Sequence, residues 1–295
     1  VGYALFIPSY GMMGAALAVS AGLAAFAPPQ APQLASAAPV VYEVYAIRYG
    51  TIPDFSLASL VAGADRTRRL DIPLMIWLLK GSDGRVVLVD SGFFRDNLVA
   101  QWKVRDFVRP SDAVARLAVK PEEVTDIVLT HMHWDHAGGT TLFPKARVWI
   151  QKAEYAYYTG DAWQSSKTHG GIEPDDVLAL VRLNVEGRLG LIDGDGQRPL
   201  PGIACYTGGR HTYSSQHLVV SSKSGRTVLA SDNVYLYENL DKHAAVAGAL
   251  DVASNLAAQD RMRTQASDVG LIVPGHDPAV FTRFPTVAPG VVRID

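Results

Sequence analysis

The chain has 295 residues, 48% of them hydrophobic and 19% charged, enough to bury a sizeable core and unlike a disordered or fibrous composition. Its formal net charge is -2 and its longest basic run is RTRR at 66–69, which argues against a nucleic-acid partner. The single cysteine, Cys205 in the apolar stretch GIACY, reads as a buried core thiol and leaves any metal to nitrogen and oxygen donors.

Residues 1–37 differ in character from the rest. The uncharged Ala/Gly-rich run GMMGAALAVSAGLAAFA leads through PPQAPQ into LASAAP, the pattern of a signal-peptide apolar region followed by a cleavage site at Ala35-Ser36-Ala37. A mature N-terminus at Ala38 and a periplasmic or secreted location follow from that reading. No Lys or Arg precedes the run, since the first is Arg48, so an apolar N-terminal arm on a cytoplasmic protein is the alternative. A stable membrane span is not expected from so short a run of small residues.

From residue 38 to residue 295 no linker divides the chain, and a single domain is expected. Strand-like runs rich in Val, Ile, Tyr and Trp occur at 41–50, 74–81, 85–90, 126–130, 147–151, 216–222, 226–232 and 270–275. SDGR and SKSGR read as hairpin turns. Helical patterns fall at 110–118, 152–160, 174–184 and 244–267, and this alternation predicts an α/β protein with mixed sheets covered by helices. GRVVLVDSG and GRTVLASDN echo each other and place Asp90 and Asp232 at the C-terminal ends of two strands, where α/β proteins commonly build sites.

Between two of those strands, THMHWDHAGG gathers three of the chain's eight histidines and an aspartate. The i, i+2 spacing of His131 and His133 in extended chain sends both rings to one side. Asp135 and His136 follow as the chain turns, and Gly138 and Gly139 permit close backbone contact. A zinc site generally needs three protein ligands and an open position, so four donors this dense predict two adjacent metals. Burying them without metal would cost several kcal/mol.

This segment resembles the metal-binding motif of the metallo-β-lactamase superfamily. Residues elsewhere match the family's remaining ligands in order: His211 in TGGRHTYSSQH, Asp232 in VLASDN and His276 in IVPGHDP. The resemblance spans residues 40–295 and implies an αββα sandwich of two mixed β-sheets flanked by helices. It further implies two Zn2+ ions. One would be held by His131, His133 and His211 and the other by Asp135, His136 and His276, with Asp232 and a hydroxide between them. Asp90 matches a strand-end aspartate that steadies these ligands. His169, His217 and His243 match no motif position and read as structural.

Only a short tail follows His276, which leaves no room for the added domains of the glyoxalase II and nuclease branches. Tyr235 in SDNVY matches a tyrosine with which N-acyl-homoserine lactonases donate to the substrate carbonyl, and the segments YEVYAIRYGT and GHDPAVFTRFP resemble that family's flanks. The resemblance therefore implies a dinuclear zinc hydrolase that opens the ring of N-acyl-homoserine lactones, a quorum-quenching activity. By the same resemblance, hydroxide would attack the carbonyl, Tyr235 would stabilise the oxyanion with a metal, and Asp135 would accept and return the proton. The expected partner is a small-molecule lactone, with homodimerisation left open. The alternatives are an organophosphate triester hydrolase, a β-lactamase, or a metal-stabilised binding protein without turnover. One departure is Tyr213-Ser214, where many relatives have Pro-Gly. Trp134 reads equally as a wall over the lactone or as packing, and an acyl groove is expected from 51–64 or 153–163.

Overall fold

Side chains on a strand project alternately to opposite faces, and two long strands bury both of theirs. In β1 (Tyr42–Ser56), Val44 and Ala46 oppose Tyr45, Ile47 and Tyr49; in β2 (Arg69–Gly81), Met75, Trp77 and Leu79 oppose Leu74, Ile76 and Leu78. The first set packs with Leu218, Val220, Val228 and Ala230, and the second packs with Val114, Leu180 and Leu183. A sheet covered on both sides is thus written into the two strands.

The protein is seen here as a computed structural model that describes residues 38–167 and 169–295. The expected signal segment and its cleavage site lie outside the described residues. After β2 come β3 (Val86–Val89), α1 (Asp96–Gln101), α2 (Pro110–Ala113), β4 (Asp126–Val128), α3 (Trp134–Ala137), β5 (Arg147–Gln151), α4 (Lys152–Tyr158) and α5 (Pro174–Val185). The second half adds β6 (Leu189–Ile192), β7 (Gln197–Leu200), β8 (Ile203–Thr207), β9 (Gln216–Ser222), β10 (Gly225–Ser231), α6 (Tyr237–Asp241) and α7 (Val252–Gln265). The chain closes with β11 (Ile272–Pro274), α8 (Val280–Arg283), β12 (Thr286–Ala288) and β13 (Val291–Arg293).

Strand order is β11-β10-β9-β1-β2-β3-β4-β5-β6, with β13 added to β1, and β8 and then β7 added to β9. β3 to β6 run parallel, as do β10 and β11, while the hairpins are antiparallel. β1 and β9 meet only at Tyr42 and Ser222, and there the array divides into two mixed sheets. Leu98, Ala113, Leu180 and Leu183 bring α1, α2 and α5 onto one sheet, and Ala258 and Met262 bring α7 onto the other. This is the expected αββα sandwich. Among the described residues no helix is long and apolar enough to cross a membrane.

The expected strands all form, within a few residues, and SDGR turns β2 into β3 with Gly84 at φ 86, a conformation that glycine adopts without strain. The helix expected at 244–267 begins only at Val252. Asp251 caps it by accepting from Ser254 N at 3.0 Å, and upstream Val246 instead bridges to Val61. Cys205 is fully buried, as expected, and burial pushes its thiol well above the usual range.

Candidate metal centre

β4 ends beside β3, and the strand-end aspartate of β3 organises the ligand loop that leaves β4. Asp90 is wholly buried and holds a left-handed backbone (φ 63). Its Oδ1 accepts from Thr130 N at 2.7 Å, and its Oδ2 accepts from Thr130 Oγ1 at 2.9 Å. Oδ2 also lies 2.7 Å from His136 Nδ1. The one-turn helix α3 then brings Asp135 and His136 round, and Tyr49 Oη donates to the Asp135 carbonyl at 2.9 Å. Gly138 and Gly139 make the close contact expected of them: a Cβ on Gly139 would stand 2.1 Å from the Ser91 carbonyl oxygen.

The other ligands arrive from three strand ends. His211 precedes β9, Asp232 follows β10, and His276 follows β11. His133 Nδ1 lies 3.1 Å from His131 Nε2 and 2.9 Å from His211 Nε2. Asp232 faces both ways. Its Oδ2 is 3.7 Å from His131 Nε2 and 3.4 Å from His211 Nε2. Its Oδ1 is 3.4 Å from His136 Nε2 and 3.1 Å from His276 Nε2. Asp135 Oδ2 completes the second group, 3.5 Å from His136 Nε2 and 3.7 Å from His276 Nε2. Among the described residues, donors fall into two groups, His131, His133, His211 and Asp232, and Asp135, His136 and His276, with ligand atoms in each within 4.8 Å of one another.

The chemistry of this donor set fits divalent cations. His136 Nε2 and Asp232 Oδ1 are buried without a hydrogen-bond partner, a costly state that a cation would relieve. The outward nitrogens, in contrast, are engaged. His131 Nδ1 lies 2.9 Å from Thr130 Oγ1, His136 Nδ1 contacts Asp90, and His276 Nδ1 donates to the Pro73 carbonyl at 3.0 Å. His133 bonds to the Gly170 backbone, and His211 Nδ1 lies 3.4 Å from Tyr235 Oη. Fixing one ring nitrogen leaves the other's lone pair turned inward, the arrangement that metal-binding histidines use.

Electrostatics divide the groups. Burial, with the neighbouring imidazoles, drives His131 well below the usual histidine range, and burial brings His211 down to about 3. His133 is also lowered, chiefly by burial. Burial opposes the charge on His136 too, but Asp232, Asp135 and Asp90 outweigh it and raise the ring well above the ordinary value. For Asp232, burial is outweighed by His136 and His276, so its carboxyl is held well below the carboxylate range. The first three imidazoles are thereby kept neutral and able to bind metal. The carboxylates Asp232 and Asp135, one from each group, supply the negative charge that would face bound cations.

Beside the ligands is a cavity of about 300 Å³, and His133, Asp135, Asp232, Tyr235 and His276 form its polar end. Its apolar wall is Ile52, Phe55, Leu60, Ile72, Trp102 and Trp134. The groove expected from 51–64 is thus present in part, since Ile52, Phe55 and Leu60 come from that stretch. The alternative stretch, 153–163, does not line the cavity: it folds as α4 and a following turn behind the His211 loop. Trp134 serves both expected uses, lining the cavity while stacking on Trp102 at 5.6 Å and meeting Phe93 edge-on at 4.7 Å. Tyr213 and Ser214 are held by α4, with Tyr213 stacked on Tyr157 at 3.9 Å and Ser214 N donating to Glu154 at 2.5 Å.

All seven predicted ligands and Tyr235 converge, and the three histidines outside the motif do not. His217 is buried against Gln265, His243 pairs with Asp260 at the surface, and His169 stacks on Trp163. Sequence reasoning missed Tyr49 and Glu154, whose roles depend on contacts far apart in the chain. It also missed why residue 209 is glycine, where a Cβ would stand 1.8 Å from Asn233 Oδ1.

Comparison with known proteins agrees with this fold. The family model described as "Metallo-beta-lactamase superfamily" matches residues 73–276. An N-acyl homoserine lactonase from a Bacillus species is 28% identical over 223 residues, covering 70% of this chain and 82% of the relative. The crystal structure of a quorum-quenching N-acyl homoserine lactone lactonase superposes with a TM-score of 0.69 at 20% identity, covering 85% of this chain and 98% of that one. AidC, a dizinc quorum-quenching lactonase solved with a product, gives 0.60 at 18% identity, with 85% and 93% covered. By its matched sequence and its fold, the chain belongs to the metallo-beta-lactamase superfamily.

Proposed function

We propose that this hydrolase opens the lactone ring of N-acyl-homoserine lactones, using two divalent ions, taken as zinc. The observation that carries the reading is the two-ended cavity, with metal ligands, Asp135 and Tyr235 at one end and an aromatic and aliphatic wall at the other. A lactone head with an apolar acyl tail has that same division. The relatives named lactonases, one of them dizinc, support the substrate and the metal.

His131, His133 and His211 would hold one ion, Asp135, His136 and His276 the other, and Asp232, which faces both groups, would serve each. Two such ions acidify water toward neutral pKa and polarise a carbonyl oxygen. The chain's own groups do the rest. The Tyr235 phenol is raised well above its ordinary value by burial, then by Asp232 and Asp135, so it keeps its proton and can donate to the carbonyl oxygen as charge develops. Asp135, lowered because His136 and His276 outweigh its burial, is a carboxylate at neutral pH. It takes the proton released as water adds to the carbonyl and returns it to the ring oxygen as that bond breaks. The apolar wall holds the acyl chain and excludes water.

A hydrolysis panel of acyl-homoserine lactones, paraoxon-type phosphotriesters and a chromogenic cephalosporin tests the reading. Fastest turnover on the lactones supports it, and a preference for either other class replaces it. We further propose that export removes residues 1–37, and N-terminal sequencing of protein recovered from periplasm or medium should find Ala38 first.

A further inference from the structure

A buried carboxylate that the reaction does not use lies behind the His131, His133 and His211 group. Glu154, on α4, is fully shielded from solvent and accepts three hydrogen bonds. Its Oε1 takes Met132 N at 3.1 Å and Thr212 Oγ1 at 2.6 Å, and its Oε2 takes Ser214 N at 2.5 Å. Met132 stands between His131 and His133, and Thr212 follows His211. One side chain therefore joins two ligand-bearing loops that are far apart in the chain. The next turn of α4 grips the same loop, through the Tyr157–Tyr213 stack and through Tyr158 Oη, which accepts from Tyr213 N at 3.4 Å. No residue of α4 lines the cavity, so this helix acts on the site only from behind.

We propose that Glu154 is a positioning residue for one of the two metal sites: it sets the spacing between the His131–His133 turn and the His211 loop, and hence the affinity of that site. The inference rests on the two-ion reading above. A buried carboxylate is costly and is retained where several donors converge on it. Here all three donors belong to the ligand loops. The His136 and His276 rings are held by Asp90 and Pro73 rather than by Glu154, so the effect of Glu154 should be confined to one ion.

The test uses the full chain loaded with Co2+, following its visible spectrum and the affinity of each ion by competition with a chromophoric chelator. Glu154→Gln keeps the shape but turns an amide donor toward either Ser214 N–H or the Met132 and Thr212 donors. The expected result is a loss of roughly 10–100-fold in affinity for one ion, with the other unchanged. The weakened spectral component should be the one lost in His211→Ala and kept in His276→Ala. Thr212→Val, which removes a single donor, should weaken the same ion by less, and it carries the test if Glu154→Gln does not fold. Two ions held with wild-type affinity and spectrum in the folded variant would overturn the proposal alone. Equal loosening of both ions would also overturn it, because the effect would then be general destabilisation. Wild-type protein that binds fewer than two ions would overturn the two-ion reading and this proposal with it.

Discussion

Asp90 Oδ2 lies 2.7 Å from His136 Nδ1, so a buried strand-end carboxylate fixes which nitrogen of His136 faces the candidate metal centre. The same aspartate holds Thr130, whose hydroxyl lies 2.9 Å from His131 Nδ1, and so reaches a ligand in each group. Asp90→Asn replaces a full acceptor with an amide and frees His136 to turn its N–H inward. Affinity for the ion held by Asp135, His136 and His276 should fall roughly 10–100-fold, the usual cost of losing such a partner. Chelator competition measures it, and wild-type affinity in the variant would make Asp90 a fold residue only.

Tyr235→Phe removes the proposed oxyanion donor and almost no volume. Turnover on a lactone should fall roughly 10- to 100-fold, since a metal shares the stabilisation, while KM changes less. Metal content and thermal stability should stay at wild-type values, because Tyr235 is not a ligand. Undiminished turnover would leave the phenol a packing group.

Trp102 lines the cavity wall between Phe55 and Trp134, stacked with both rings. Trp102→Ala should lower kcat/KM for a long-chain lactone roughly 10-fold more than for a short-chain one, because only the long chain loses buried apolar contact. Kinetics on a chain-length series measure this, and equal losses across the series would place the acyl chain elsewhere.

His217 gives a pH prediction away from the metal centre. Burial brings its imidazole down to about 4, so between that value and the ordinary 6.5 the unfolded chain binds the extra proton. Its contribution to stability is therefore complete above the unfolded pKa and is lost as pH falls toward the folded one. Between about pH 7.5 and about pH 5 the wild type should lose roughly 2 kcal/mol more stability than His217→Gln. Denaturant titrations of both metal-free proteins isolate the difference. Parallel pH curves would contradict it.

Four of the candidate ligands were legible from local chemistry, because His131, His133, Asp135 and His136 fall within one short stretch of chain. His211, Asp232 and His276 are scattered and were found as ligands only by their match, in order, to the family's motif positions. The features that were not legible depend on distant partners. Glu154 looks like any helix glutamate until Met132, Thr212 and Ser214 fold over it. β6, β7, β8, β12 and β13 are three to five residues long, and it is tertiary pairing, to each other or to longer neighbours, that makes them strands. The stretch 153–163 has the aromatic content of a groove, but Tyr157 and Tyr158 hold the His211 loop, while Tyr155 bonds Asn184 and Trp163 stacks on His169.

If two ions held by these seven ligands make a lactone-opening centre, metal and activity must rise together. Metal-free protein titrated with Zn2+ tests this in one measurement, with bound metal and opening of an N-acyl-homoserine lactone followed side by side. Ring opening should rise with metal and reach its plateau at two ions per chain. Full turnover with one ion bound or none, or no ring opening once two are bound, would contradict it.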